Sequence, residues 1–311
     1  MPTPLAGVFT ALATPFRSDF SLDLPAFRRL MRRQAAGGVA GVVIGGSTGE
    51  GSALEPEELS ALIRAAVAQA GDRLLVIAGV GVNNTAAAVR LAKRAQSAGA
   101  RALLVTAPSY NKPPQRGIVA HYSSISRATR IPIIVYNIPG RTAVNIEPET
   151  AARMAREIPR IVAVKESSGS LDQASEILRL APPGFSLLAG DDSLILPMLS
   201  IGARGAVSVL SNLAPESVVE LYRAALGDDF RRARELHLGM LPAVKALYLE
   251  SNPIPLKAAL ALRGLSRDVL RPPLVPLSAE KRALLKALGS GPFGPYILHP
   301  KDTYASEKSV I

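Results

Sequence analysis

Short runs of Val, Ile, Leu and Ala alternate along the chain with longer segments whose apolar residues recur at helical spacing. The short runs predict eight strands, at residues 8–13, 41–45, 74–79, 102–106, 132–137, 161–165, 186–189 and 205–209. The segments between them predict helices, at residues 57–70, 85–98, 117–128, 149–158, 171–180 and 194–201. Strands that are apolar on both faces and alternate with helices are typical of a parallel sheet covered by helices. Eight such units predict a closed (β/α)8 barrel, with its chemistry at the carboxyl ends of the strands.

After Asn212 the pattern is helical only, with helices predicted at 215–225, 229–247, 254–262 and 279–288. We therefore divide the chain into a barrel over residues 1–213, a C-terminal helical region over 214–290 and a tail over 291–311. The tail has no periodicity and is expected to be poorly ordered. An open, doubly wound sheet is the structural alternative, but the glycine fingerprint that usually follows the first strand of such a sheet is missing from this sequence.

The composition excludes several kinds of chemistry. The 311 residues contain no cysteine, so disulfides, thiolate catalysis and cysteine-ligated metals are excluded. The three histidines, His121, His237 and His299, are too scattered to pair as metal ligands. No apolar run approaches the roughly 18 residues of a membrane span, and the first residues lack the features of a secretory signal. We expect a cytoplasmic protein without a metal or a membrane partner.

A formal net charge of +11 raises the possibility of a nucleic-acid partner. The basic residues, however, lie among acids and alanines in helical segments, and no aromatic residues interleave them as a base-stacking surface requires. Solvated helix faces explain the charge better, and an excess of positive charge also attracts small anionic substrates. We therefore expect no nucleic-acid partner.

The strand at 161–165 ends on Lys165, which places an amine at the mouth of a buried strand. An amine attacks carbonyl carbon only in its uncharged form, which burial or a nearby cation favours. The alternative is a lysine that caps the strand and points to water. Thiol and metal chemistry are unsupported, and no serine stands in a Gly-x-Ser-x-Gly elbow. If the barrel is correct, Lys165 is the candidate for covalent catalysis through a Schiff base.

Polar groups follow other strands at the same predicted end of the barrel. The turn 45–51 combines four glycines with Ser47 and Thr48, and its hydroxyl and N–H groups suit a carboxylate or phosphate. Tyr110 follows the fourth strand, Tyr136 lies at the end of the fifth, and Arg141 comes shortly after it. An arginine fork beside an amine suits recognition of an α-keto acid or an acidic partner substrate. A structural turn, a packed tyrosine and a surface arginine are the alternatives.

Three acidic residues near the strand ends, Asp191, Asp192 and Glu166, are predicted to have structural roles. Asp191 and Asp192 suggest a metal site, but without paired histidines we interpret them as caps of the helix that follows. Glu166 follows Lys165 directly and therefore points to the opposite face of the strand. We expect Glu166 to orient the loop after that strand.

Together these segments resemble the pyruvate-dependent class I aldolases, the family of the dihydrodipicolinate synthases and N-acetylneuraminate lyases. The resemblance extends from about residue 7 to residue 288. It rests on the order of these motifs: Ala13-Thr14-Pro15-Phe16, Gly46-Ser47-Thr48-Gly49-Glu50, Tyr110-Asn111-Lys112-Pro113, Tyr136-Asn137-Ile138-Pro139-Gly140-Arg141-Thr142, Val164-Lys165-Glu166, Gly190-Asp191-Asp192 and Asn252-Pro253-Ile254-Pro255-Leu256-Lys257.

The resemblance implies a role for each residue of the site. Lys165 forms an imine with pyruvate, whose carboxylate lies on Ser47 and Thr48. Tyr136 relays protons together with Ser47 and with Tyr110 of a neighbouring subunit. Arg141 holds the acidic aldehyde. The resemblance also places the backbone of Gly190 and Val207 beside the lysine, and it implies a homotetramer built from two dimers that needs no added cofactor.

Arg141 favours the synthases, because the sialic acid lyases lack arginine at this point of the motif. The function implied is condensation of pyruvate with aspartate semialdehyde in lysine and diaminopimelate biosynthesis. The nearest alternative is a catabolic lyase or dehydratase of the same family, acting on a 2-keto-3-deoxy sugar acid, sialic acid or a hydroxy-2-oxo acid. A non-catalytic, basic nucleic-acid scaffold is the alternative from another class, and it predicts no covalent pyruvate adduct.

The residues expected at a lysine feedback site differ from those of lysine-inhibited synthases. Leu59, Ala87 and Ser109 stand where a histidine, a glutamate and an aromatic residue are usual, although Asn83 is retained. We therefore predict an enzyme that free lysine does not inhibit.

Overall fold

A computed structural model describes residues 5–71, 73–290 and 296 of the chain. Its sheet is a closed parallel barrel in which each strand pairs with the next and β8 pairs with β1. The strands are β1 Gly7–Ala11, β2 Gly41–Ile44, β3 Leu75–Val80, β4 Ala102–Thr106, β5 Ile133–Asn137, β6 Ile161–Glu166, β7 Ser186–Ala189 and β8 Gly205–Ser208. The (β/α)8 barrel predicted from the sequence is confirmed, as is the helical region that follows it.

Helices cover the outside of the barrel and continue beyond it. Those up to β8 are α1 Leu24–Ala36, α2 Pro56–Ala70, α3 Thr85–Ser97, α4 Gln115–Ala128, α5 Pro139–Thr142, α6 Pro148–Glu157, α7 Leu171–Leu180 and α8 Ile195–Ser200. The later ones are α9 Pro215–Leu226, α10 Phe230–Ala246, α11 Ile254–Leu262 and α12 Ala279–Ser290. Because α9 packs against α8 and β1, the ring of helices is completed by the first helix of the C-terminal region.

Several helices begin where a short polar side chain caps their free N–H groups. The side chains of Asp23, Asn84, Ser170 and Asp229 each accept a hydrogen bond from the backbone N–H three residues later. Such caps satisfy donors that have no partner within the helix. The predicted helix starts at 85, 171 and 229 are therefore correct to within a residue.

Two apolar layers make up the core. One fills the barrel interior and is formed by Phe9, Ala11, Val43, Ile77, Ala102, Leu104, Ile134, Tyr136, Ala163, Leu188 and Val207. The other, larger layer lies between the strands and the helices. Successive residues of a strand face opposite sides, so Ala163 and Lys165 of β6 point into the barrel. Val164 and Glu166 point outward towards the helices.

Of the tail predicted over 291–311, only Tyr296 belongs to the described residues. Its side chain packs against the apolar core, and its hydroxyl lies close to Gly239 in α10. The expected disorder of the tail otherwise falls outside the described residues, and the division at 213 and 214 stays a prediction. Among the helices that the structure describes, none has the length and apolar character needed to cross a bilayer.

Candidate active site

Lys165 lies near the carboxyl end of β6, inside the barrel, with 5% of its surface exposed. Its neighbour across the sheet is Tyr136 of β5. The Nζ atom of Lys165 lies 4.0 Å from the centroid of the Tyr136 ring. The alternative of a lysine that points to water is therefore wrong, because the amine is held against an aromatic ring at the catalytic end of the barrel.

A cavity of about 60 Å³ brings most of the predicted site residues together. Its lining includes six of them: Ser47, Thr48, Tyr136, Arg141, Lys165 and Gly190. A wider cleft of about 420 Å³ shares Ser47, Tyr136 and Arg141 with it. The arrangement joins a small chamber at the amine to a cleft in which a second molecule has room.

The turn after β2 presents two hydroxyl groups to this chamber. Thr48 is buried, and its Oγ1 accepts a hydrogen bond of 2.9 Å from Nδ2 of Asn252. Ser47 is exposed towards the cavity. The tight path of the turn requires glycine at residue 51, where a Cβ atom would lie 1.9 Å from the carbonyl oxygen of Gly45. Since Thr48 Oγ1 accepts from Asn252, its own proton is free to be donated to an anion.

Arg141 lies on α5, a single helical turn that was not predicted from the sequence. Pro139 occupies the first turn of α5, and the turn ends at Ala143, which has a φ of 57°. Nη2 of Arg141 donates a hydrogen bond of 2.9 Å to the carbonyl oxygen of Asn252. The guanidinium group is thus anchored through one nitrogen and lines both the chamber and the cleft.

The two aspartates after β7 do not cap the helix that follows them, so that prediction was wrong. Asp192 instead accepts hydrogen bonds of 2.9 Å from the backbone N–H groups of Val209 and Leu210, and another from the Ser208 hydroxyl. Burial raises the pKa of Asp192, and these hydrogen bonds oppose the rise. The carboxylate joins the loop after β7 to the loop after β8.

Asp191 lines the chamber beside Lys165. Burial raises the pKa of Asp191, while the charge of Lys165 lowers it. The sequence analysis predicts a helix cap here and does not place this carboxylate beside the lysine. The chamber therefore contains a carboxylate as well as an amine.

Glu166 acts as predicted, on the outer face of β6. Its carboxylate accepts hydrogen bonds from Asn137 Nδ2 at 3.0 Å, from Gln173 Nε2 at 3.1 Å and from the backbone N–H of Ser168 at 2.6 Å. These bonds join the end of β5, the loop after β6 and the start of α7. The loop that follows the lysine is therefore fixed from outside the barrel.

Comparisons with known proteins agree with this geometry. The sequence model described as "Dihydrodipicolinate synthetase family" matches residues 4–290. The chain belongs to this family. A relative from Salinibacter ruber named "4-hydroxy-tetrahydrodipicolinate synthase" is 45% identical over 284 residues, which are 91% of this chain and 94% of that protein. The predicted resemblance is confirmed, and the protein is an enzyme of the class I aldolase type.

Solved structures of the dihydrodipicolinate synthetase family have the same fold. The dihydrodipicolinate synthase from Aquifex aeolicus superimposes with a TM-score of 0.89 at 42% identity, covering 91% of this chain and 97% of that one. A dihydrodipicolinate synthase variant described as monomeric superimposes with a TM-score of 0.90 at 39% identity, covering 91% and 95%. Because that variant is monomeric, membership of the family alone does not fix the number of subunits.

Two predicted site residues of this family member do not line the chamber. Tyr110 is 90% exposed, with a φ of 72°, on the loop after β4. Val207 is packed in the barrel interior with Tyr136, and Val209 lines the chamber instead. Within one chain, the exposed phenol of Tyr110 therefore does not take part in the chamber that holds Lys165.

Two other lining residues of this synthetase family member were not predicted to act in the site. Tyr248 follows α10 and lines the chamber. Burial raises the pKa of its phenol, and the carboxylates of Asp192 and Asp191 raise it further. Asn252 stood in a motif that carried the resemblance, but its bonds to Thr48 and Arg141 join segments far apart in the chain. An Asn-Pro pair before a helix was the only local signal.

No group of three or more His, Asp or Glu residues is arranged to hold a metal ion in the described part of the chain. The polar side chains lining the chamber are one amine, one guanidinium, one carboxylate, two phenols and two hydroxyls, with an amide at Asn252. This set suits nucleophilic and proton-transfer chemistry on a small keto acid.

Proposed function

We propose that the protein is a 4-hydroxy-tetrahydrodipicolinate synthase, which condenses pyruvate with aspartate semialdehyde through a Schiff base on Lys165. The observation that carries the proposal is the buried amine of Lys165, 4.0 Å from the centroid of the Tyr136 ring, in a chamber that Arg141 also lines. The cytoplasmic location expected from the sequence is part of the same proposal, and so is the use of no added cofactor.

Pyruvate binds first, with its carboxylate at the turn after β2. In this binding mode the hydroxyl groups of Thr48 and Ser47 donate hydrogen bonds to the carboxylate, and the ketone carbon faces Nζ of Lys165. The amine adds to this carbon, and loss of water gives the imine. Holding the ketone against the amine removes most of the entropic barrier to the addition.

Loss of a methyl proton converts the imine to an enamine, whose terminal carbon bonds to the aldehyde carbon of the second substrate. The aldehyde oxygen takes up a proton in this step. Tyr136 lies against the amine and is the group best placed to carry protons, with Ser47 as its partner. The amino group of the second substrate then displaces Lys165, which closes the ring and restores the free enzyme.

Arg141 decides between the synthase and its relatives in this proposal. One of its nitrogens is held by the Asn252 carbonyl, and the others remain for a carboxylate that enters through the wider cleft. Charge-assisted bonds to a carboxylate are the strong ones, so an acidic aldehyde is favoured. A catabolic lyase or dehydratase is the second candidate, since Asp191 and Tyr248 offer polar groups to a hydroxylated substrate.

A homotetramer, assembled as a dimer of dimers, is proposed from the resemblance to the family. The exposed Tyr110 supports contact between two subunits, because it reaches a chamber only if another subunit holds that chamber. Mixing Tyr110→Phe subunits with Lys165→Ala subunits tests this. A hybrid dimer contains one chamber with an intact Lys165 and a Tyr110 supplied by the other chain, so activity should rise after the mixed chains are unfolded and refolded together. No rise over the unmixed variants would contradict the exchange of Tyr110, and light scattering gives the subunit number.

The proposed enzyme is not inhibited by lysine. The Leu59 side chain is buried against Gly45, and the side-chain oxygen of Asn83 accepts hydrogen bonds from the N–H and hydroxyl groups of Ser109. These residues provide neither a carboxylate for an ammonium group nor an aromatic wall. Saturating lysine should leave the initial rate unchanged, and a rate reduced by half would contradict the proposal.

Borohydride reduction in the presence of pyruvate, followed by peptide mass mapping, tests the central step. We expect a stable adduct on Lys165 and none in the Lys165→Arg variant. An adduct on another lysine would remove the assignment. Initial rates with pyruvate and aspartate semialdehyde, compared with rates of cleavage of 2-keto-3-deoxy sugar acids, then separate the synthase from the catabolic candidate.

A further inference from the structure

A buried ion pair lies behind the turn that presents Ser47 and Thr48. The side chains of Glu50 and Lys257 are 1% and 0% exposed and contact each other directly. Burial lowers the pKa of Lys257 to about 8, and Glu50 opposes the shift. Burying two charges carries a desolvation penalty that their attraction often fails to offset, so such a pair is weak evidence for stability alone. Its position in the fold suggests another reason for it.

Glu50 occupies a position that favours glycine. Its φ is 51°, in the left-handed region, and its neighbours Gly49 and Gly51 are both glycines. A carboxylate side chain in this conformation persists only where its surroundings hold it in place. Its second oxygen accepts a hydrogen bond of 2.9 Å from the backbone N–H of Arg271. Both oxygens of Glu50 are thus held by groups from the C-terminal helical region.

Lys257 has other partners besides Glu50. Its Nζ atom donates a hydrogen bond of 2.8 Å to the carbonyl oxygen of Val269 and lies 4.1 Å from the centroid of the Phe16 ring. The guanidinium carbon of Arg271 lies 4.4 Å from the centroid of the same ring, and Arg271 is paired with Glu58. The amine is therefore held in one position beside Glu50.

The segment that carries Lys257 also reaches the chamber. Asn252, five residues earlier, donates to Thr48 and accepts from Arg141. One stretch outside the barrel thus contacts the turn at two points, at Thr48 through Asn252 and at Glu50 through Lys257. The position of the turn relative to Lys165 depends on both contacts.

We propose that Glu50 and Lys257 are positioning residues, which hold the Ser47–Thr48 turn at the place where it binds the carboxylate of pyruvate. The inference rests on the proposed function, because it assigns the turn to that carboxylate. It also means that the C-terminal helical region contributes to binding of the keto acid, through its contacts with the turn. Displacement of a binding group by about 1 Å is enough to cost on the order of 10²-fold in rate.

The test uses three variants of the full-length protein: Glu50→Gln, Lys257→Met and the double variant Glu50→Gln/Lys257→Met. Glutamine and methionine keep roughly the length of the native side chains and remove the charges. Arg153→Met is the matched control, because it breaks an exposed ion pair with Glu157 on α6. For each protein we measure the pyruvate concentration that gives half-maximal borohydride trapping on Lys165, the KM and kcat, and the urea midpoint of unfolding.

The double variant separates positioning from stability, because it leaves no buried charge without a partner. We expect its urea midpoint to return towards the wild-type value, while half-maximal trapping still requires at least about tenfold more pyruvate. Each single variant should show the same weaker trapping, and Arg153→Met should behave as the wild type. If Lys257→Met does not fold, pyruvate trapping and the urea midpoint are compared between Glu50→Gln, the double variant and the wild type.

Two results would overturn the inference. One is a double variant that traps pyruvate at the wild-type concentration, and the other is a single variant that is unstable but has an unchanged pyruvate KM. A wild-type protein that forms no adduct at any pyruvate concentration would instead refute the proposed function itself. The failures of the two proposals are therefore distinguishable.

Discussion

Asp192 gives the sharpest prediction about stability. The change Asp192→Ala leaves the buried N–H groups of Val209 and Leu210 without their acceptor. Each buried group left unsatisfied costs about 1–3 kcal/mol, so two cost about 2–6 kcal/mol. The desolvated carboxylate is removed at the same time, which offsets part of this loss. We expect a net decrease of about 2–4 kcal/mol in the free energy of unfolding.

Urea unfolding followed by circular dichroism measures this change as a lower midpoint with an unchanged slope. Asp191→Ala is the matched control, because its side chain accepts no hydrogen bond from the residues that the structure describes. We expect the control to change the free energy of unfolding by less than about 1 kcal/mol. Equal midpoints for Asp192→Ala and the wild type would refute the reasoning.

The pH dependence of the same site has a definite sign. Burial raises the pKa of Asp192 in the folded protein above its value in the unfolded chain. The stability contributed by this shift is present below the unfolded pKa and is lost as the pH rises through the folded pKa. The wild type should therefore gain stability relative to Asp192→Asn as the pH is lowered from 7 towards 4. A difference that shrinks on acidification would contradict this.

Three further predictions concern the chamber. Tyr136→Phe should lower kcat by about 10²–10⁴-fold in steady-state assays while borohydride trapping with pyruvate persists, and an unchanged kcat would exclude Tyr136 from proton transfer. Arg141→Met should raise the KM for the aldehyde by roughly 10–100-fold without changing pyruvate trapping. Gly190→Ala should lower the free energy of unfolding by about 1–3 kcal/mol, because the new Cβ would lie 1.8 Å from Ser167 Oγ. In the same urea assay Gly140→Ala should be nearly neutral, because in the described part of the chain no atom other than its chain neighbours and its own helix backbone lies within 4 Å of the new Cβ.

Local patterns predicted the barrel and the inward direction of Lys165. The strands are apolar on both faces, and strand parity alone separates Lys165 from Glu166. The short helix α5 was missed because four residues are too few to show a period. Its start at Pro139 was visible only as part of a motif.

Contacts between residues far apart in the chain explain why the helix-cap prediction for Asp192 was wrong and why Tyr248 was not predicted to line the chamber. The local pattern predicts a helix cap at Asp192 because the true partners of its carboxylate, Ser208 to Leu210, belong to the next βα unit. Tyr248 lies beyond the barrel, after a helix whose sequence shows only helical periodicity. Its approach to Asp191 depends on how that region packs over the barrel.

The adjacency of Lys165 and Glu166 on β6 makes the nucleophile sensitive to strand length. Deletion of a single residue earlier in β6 would exchange the two positions, with a carboxylate then inside the barrel and an ammonium group among the helices. Removal of two residues would restore the original directions but shorten the strand by about 7 Å. Only insertions or deletions of an even number of residues in this strand therefore keep the Lys165 side chain inside the barrel. The exposed ends of the outer helices have no such restriction.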